Sequence, residues 1–185
     1  METGNSQYFF FFHDSSGSMA VALTSSVTIG FVLGLTGSSI FNNIKTIKGK
    51  MRMLKNTYKV AVLSTLGLAV CGIQSVSSVL NPKMIMAAIT LFSGLIATSV
   101  SFQFYNIPNL MSSTIFPEST SVALSLTDAV GFLVTSCVMG VASLVLGSFG
   151  WSGTWAFMAL IFTMGGASMM RAMRPVLHES FKKQR

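Results

Sequence analysis

Residues 120–147, TSVALSLTDAVGFLVTSCVMGVASLVLG, form a run that is apolar or small throughout except for one charged side chain, Asp128. A helix needs roughly 20 such residues to cross a bilayer, so this stretch is long enough to span one. A carboxylate inside it costs roughly 2.5–3.5 kcal/mol on insertion scales, and such groups face a bundle interior or a water-filled path. Asp128 lies nine residues beyond Ser119, about 13 Å deep at 1.5 Å per residue.

Four further apolar runs accompany this one, at residues 19–41, 60–80, 84–104 and 151–170. Only 9% of the chain is charged and 51% is hydrophobic, whereas a soluble domain carries about 25% charged residues. The sequence therefore predicts an all-α membrane protein with five transmembrane helices in a domain covering residues 17–175. Residues 1–16 precede it as an aromatic and polar segment, and residues 176–185 follow it as a basic cytoplasmic tail.

The connections are read from charge and from helix breakers. The cluster from Tyr8 to Phe12 is shorter than a signal-peptide core of about 7–15 residues and is read as an interfacial anchor or as the remnant of a preceding helix. His13 and Asp14 beside it have no third ligand, so no metal site is expected there. Gly30, Gly34 and Gly37 give the first run a face that a neighbouring helix can approach closely. Residues 42–59 hold six of the twelve basic residues, too many for hydrocarbon, and are read as a loop. Asn81-Pro82-Lys83 reads as a turn, because Pro cannot continue a helix and Asn suits a turn. Residues 105–119, with Pro108 and Pro117, and residues 148–153 read as two more connections.

Cytoplasmic loops of membrane proteins carry the excess of Lys and Arg. Residues 42–59 have six and residues 171–185 have five, and the even number of runs between them lets both lie on the cytoplasmic side. The N-terminus is then outside. Loops facing an anionic leaflet account for the net charge of +7, so no nucleic-acid partner is expected. Cys71 and Cys137 fall inside apolar runs, where free Cys acts as a small hydrophobe.

The loop order, together with Gly37-Ser38, Thr57-Tyr58-Lys59, Phe116-Pro117-Glu118-Ser119 and the turn from Gly150 to Gly153, resembles helices eight to twelve of a major facilitator superfamily transporter. Within the superfamily, Thr57-Tyr58-Lys59 and Pro117-Glu118-Ser119 are most similar to the feline leukaemia virus receptor-related branch, whose members export choline-like or haem-like solutes. The organophosphate antiporters are a second branch with a similar pattern. Asn42 and Asn43 stand where the superfamily has a gate Asp. The resemblance implies most of a C-terminal half-bundle that works by alternating access on a small organic solute. It also implies that the first, third and fourth runs line the cavity.

Residues three or four apart share a helix face. On the fourth run Ser121, Ser125, Asp128 and Thr135 make a polar stripe, and on the third Thr90, Ser93, Ala97 and Ser101 make a stripe of small residues. Both are expected to line a cavity. The candidate substrate or proton pathway thus comprises Asp128, Ser125, Ser121 and Thr135, with Gln103 and Asn106 near the cytoplasmic end of the third run. Asp128 could instead bond to neighbouring hydroxyls or amides and fix helix packing. Glu118 is expected at a helix start, where the dipole favours a carboxylate, as a cap or gate latch. No zinc spacing, nucleophile elbow or phosphate loop is present, so neither an enzyme nor a cofactor is expected.

The expected partners are the lipid bilayer, a small solute, and further helices from another chain, a second copy or a missing N-terminal half. A plasma membrane and an organelle membrane suit the charge pattern equally. The competing reading is a non-transporting structural subunit, or a truncated relic, packed in a larger complex.

Overall fold

The computed structural model describes residues 16–73, 76, 79 and 81–183. The aromatic cluster before Ser15, with His13 and Asp14, lies outside the described residues. Four helices are seen where five were expected: α1 (Ser16–Asn43), α2 (Ile47–Cys71), α3 (Pro82–Ile115) and α4 (Thr120–Lys183), with a short 3-10 turn at Pro117–Ser119. Among the described residues no strand occurs.

α1 has no charged residue in its 28 positions and reaches about 42 Å at the helical rise, more than a bilayer core. It stops at Asn43. Thr46 then opens α2 with an extended backbone, its side chain accepting from the Gly49 N–H at 3.1 Å. That N-cap satisfies one of the donors a helix start leaves unpaired.

Most of the stretch expected to be a loop at 42–59 is therefore helix. Its charge excludes hydrocarbon but not helicity, because Lys, Met, Arg and Leu are all good helix formers. The same correction applies to residues 105–115, where α3 continues through Pro108 to Ile115. Asn106, Ile107, Ser112 and Thr114 are buried there, and their packing outweighs the lost backbone bond of the proline.

At its other end α2 stops at Cys71, where the Gly72 N–H bonds to the carbonyls of Leu68 and Ala69. The second expected run continues to residue 80 and so falls partly on residues outside the described set. Asn81 caps α3, accepting from the Lys83 N–H at 2.9 Å, and Pro82 takes the first helical position, which needs no donor. Asn81-Pro82 thus begins a helix rather than only ending one.

α4 contains both the fourth and the fifth expected runs. Its 64 residues would measure about 96 Å if straight. The helix is broken at Gly150, whose φ of 66° and ψ of −167° lie in a region open essentially to glycine alone. Phe116, just before this element, caps the same end of α3 that carries Ile107. Ser152 lies against Gly72 at the opposite end of α2, and Met173 and Leu177 return to pack with Phe41, Leu54, Phe102 and Ile107. The Gly150 break therefore reverses the direction of the chain.

α1 lies along α3, α3 along α2, and α2 along the second part of α4. The α1–α3 seam is made by small residues. A Cβ on Gly30 would run into the carbonyl of Gly94, and one on Gly34 would run into the Ser101 hydroxyl. Ser26 donates across the seam to the Thr90 carbonyl at 2.6 Å, and Ser101 to the Phe31 carbonyl at 3.2 Å. Gly67 admits the Phe92 ring between α2 and α3, and Gly166 admits the Tyr58 ring between α4 and α2.

The core holds both basic segments at one end. Lys50 is 7% exposed, with its ammonium 5.0 Å from the Phe41 ring and 5.4 Å from the Phe181 ring. Two aromatic faces partly replace the water that the cation has lost, and burial still holds its pKa below the usual lysine range. Three stretches among the described residues are long and apolar enough to cross a membrane: Gly17–Asn43, Pro82–Ile115 and Pro117–Lys182. The chain is an all-α, membrane-embedded protein.

Candidate functional site

The first part of α4 differs from every other helix in the chain. No side chain from Thr120 to Val141 is buried, and up to Gly150 only Ala142 is. Val122, Leu126 and Leu133 are each about two-thirds exposed, and so is Phe132. At about 100° per residue the first three lie on a different side of the helix from Phe132, so the helix is uncovered on both sides.

Asp128 belongs to this uncovered helix. Ser121, Ser125, Asp128 and Thr135 are all exposed and fall within about 80° of arc on an ideal helix. Hydrocarbon can cover the Val122, Leu126 and Leu133 side at little cost. It cannot cover the Asp128 side without the desolvation penalty of a carboxylate. Among the described residues neither Asp128 nor Glu118 has a hydrogen-bond or ion-pair partner. Among the described residues, the hydroxyls and amides that might have fixed Asp128 as a packing residue, Gln103 included, do not bond to it, and Gln74 lies outside the described residues.

Two further residues share the stripe and carry no polar signal in the sequence. Phe132 stands one turn beyond Asp128, and Met139 one turn beyond Thr135, both exposed. A carboxylate followed by an aromatic ring at i+4 offers a cation two favourable contacts on one helix face. The i, i+4 spacing from Asp128 is the signal in the sequence that places Phe132 on the stripe.

The remaining candidates lie elsewhere. Asn106 is buried, its Nδ2 donating to the Ser38 Oγ at 2.7 Å and to the Phe102 carbonyl at 2.6 Å. The first of these bonds ties α3 to α1. Gln103 is half-buried, and its Nε2 is a buried donor with no partner. An unpaired amide of this kind costs about 1–3 kcal/mol, and the Gln103 donor has no partner among the described residues. Glu118 is exposed in the 3-10 turn at the start of α4, where a carboxylate meets the positive end of the helix dipole. It makes no ion pair with the basic segment.

The stripe of small residues on the third expected run is a packing seam rather than a cavity wall. Ser101 is 1% exposed and bonded to α1, Ala97 faces Gly30, and the Thr90 carbonyl accepts from Ser26. Small hydroxyls on a membrane helix serve close packing as readily as they line water, and here α1 occupies that face. Among the described residues no three His, Cys, Asp or Glu side chains gather in one place. Compared with family models, curated proteins and solved structures, the chain has no match.

Proposed function

We propose that the chain is part of a transmembrane transporter of the major facilitator type that moves a small organic solute by alternating access. The single observation that carries this reading is Asp128, a carboxylate without a partner among the described residues, on the polar stripe of a long apolar helix that those residues leave uncovered. In a bilayer such a stripe faces water, a solute or another bundle. Transporters of this type place their site between two half-bundles near the midplane, which is where an uncovered polar face at about 13 Å depth belongs.

In this reading α1, α2, α3 and the two parts of α4 make five crossings, with the N-terminus outside and the C-terminus cytoplasmic. The convergence of the two basic segments at Lys50 and Phe181 supports that orientation through the excess of Lys and Arg on cytoplasmic faces. The helices that complete the cavity come from another chain, a second copy or a preceding half. Asp128 and Phe132 suit a solute with a cationic head group, the carboxylate supplying charge and the ring its negative face.

One observation favours the alternative of a structural membrane subunit. Asn106 and Ser101, two of the polar groups on α3, are used up in helix packing. Flux of a small quaternary amine in vesicles containing the native membrane particle distinguishes the two. A transporter loses at least about tenfold of its flux on Asp128→Asn, the order expected for removing one charge-assisted contact of about 1.5–3 kcal/mol. A structural subunit keeps the same flux, or none, in both forms.

A further inference from the structure

The face of α2 that continues the basic segment into the apolar span carries a groove that the transport reading does not use. It is an open, mostly apolar groove of about 420 Å³ between α2 and α3, and its lining runs from Arg52 and Asn56, past Thr57 and Thr98, to Val60 and Leu95. From Arg52 to Val60 is eight residues, or about 12 Å along the helix. The groove is therefore polar and cationic at one end and apolar at the other.

One rim is a charged stripe. Lys48, Arg52, Lys55 and Lys59 are all exposed and lie within about 60° of arc on an ideal helix. None has an acidic partner among the described residues. The stripe stops at Lys59, and from Val60 to Cys71 the same helix carries no charge. Such a stripe sits at headgroup depth when the apolar part of the helix is in hydrocarbon. The hydroxyls of Thr57 and Thr98 donate back to their own helices, which leaves Arg52, Asn56 and Ser99 as the side-chain donors of the lining.

We propose that this groove binds an anionic phospholipid of the leaflet that faces the basic segments. The phosphate and headgroup charge lie against Arg52 and the lysine rim, and one acyl chain lies along Val60 and Leu95. Charge complementarity and the gradient of polarity argue for this occupant over a second protein helix, which would leave four cations uncompensated at the rim. They argue equally against a free phosphate, which would leave the apolar end empty.

The test is native mass spectrometry of the purified chain in mild detergent, titrated separately with phosphatidylserine and with phosphatidylcholine. The expected result is about tenfold stronger retention of phosphatidylserine, lost in Arg52→Gln and reduced in Leu95→Trp, which fills the apolar end. Arg171→Gln, a basic residue outside the groove, keeps the native preference, and excess inorganic phosphate does not displace the lipid. Equal retention of the two lipids overturns the proposal. So does an unchanged preference in Arg52→Gln or in Leu95→Trp, which would mean a diffuse surface charge effect, and so does displacement by phosphate, which would mean a soluble anion site. Arg52 is exposed, so its replacement leaves the fold intact.

Discussion

Asn106 on α3 donates a 2.7 Å hydrogen bond to the hydroxyl of Ser38 on α1, and its second donor bond, to the Phe102 carbonyl, anchors it to its own helix. The pair fastens the end of the seam where the core residues Phe41 and Phe102 meet edge to face at 5.5 Å between ring centres. Interhelical bonds in membrane proteins contribute about 0.6 kcal/mol on average and up to about 1.7. A double-mutant cycle of Asn106→Ala with Ser38→Ala should give a coupling of about 1 kcal/mol, read from unfolding in mixed micelles. A coupling near zero would mean the bond adds nothing to helix association.

Glycines in the seam differ sharply from those on the uncovered helix. Gly34→Ala places a methyl group into the Ser101 hydroxyl, whereas a Cβ on Gly131 meets nothing within 4 Å. Overpacking costs about 1–3 kcal/mol, so Gly34→Ala should lower the midpoint of thermal unfolding. Gly131→Ala should leave it unchanged or raise it slightly, since Ala favours helix over Gly by up to about 1 kcal/mol. Thermal scans of both variants in the same detergent check the contrast.

Gly150 supports the reversal of α4 with a left-handed φ of 66°. Gly150→Ala should cost about 1–3 kcal/mol, while Gly147→Ala, three residues earlier in regular helix, should be close to neutral. Protease accessibility of the 148–153 turn and unfolding midpoints of the two variants would measure the difference.

Lys50 predicts a pH dependence with a definite sign. Its folded pKa is lowered by burial from the model-compound value of 10.5, so between the two values the unfolded chain binds more protons than the folded one. Stability then rises with pH across that window, because the penalty for burying the charge is fully present below the folded pKa and is lost above it. Unfolding of the native chain should become less favourable as pH climbs toward 10.5, and Lys50→Met should remove that part of the slope. A native slope identical to that of Lys50→Met would show that the cation is solvated.

Much of the fold was legible because hydrocarbon length and charge leave a strong signal. The apolar runs, the Gly30 and Gly34 face and the Asn81-Pro82 boundary all come from residue chemistry that acts locally. Helicity of residues 47–59 and 105–115 was not legible in the same way. Lysines and prolines weaken a hydropathy reading without forbidding a helix, and Thr46, a cap, carries no hydropathy signal. The site divides similarly. Asp128 stands out by its cost, whereas Ser101 and Asn106 have the polarity of cavity residues although α1 occupies their face. Only the partner helix decides that, and the partner is remote in sequence. Phe132 is not legible in the same way, because an aromatic residue in an apolar run has no contrast with its neighbours.

The central claim is that the Asp128 face of α4 meets water while the opposite face meets lipid. Single cysteines at Ser125 and Thr135 on the stripe, and at Leu126 and Val130 across the helix, can be compared in a chain with Cys71 and Cys137 replaced by Ser. In native membranes a charged, membrane-impermeant maleimide should label the two stripe positions at least about tenfold faster, since thiolate formation requires water. On the proposed transport reading, addition of a small quaternary amine should slow labelling at Ser125→Cys. Equal and slow labelling at all four positions would contradict the account and leave Asp128 buried against another helix.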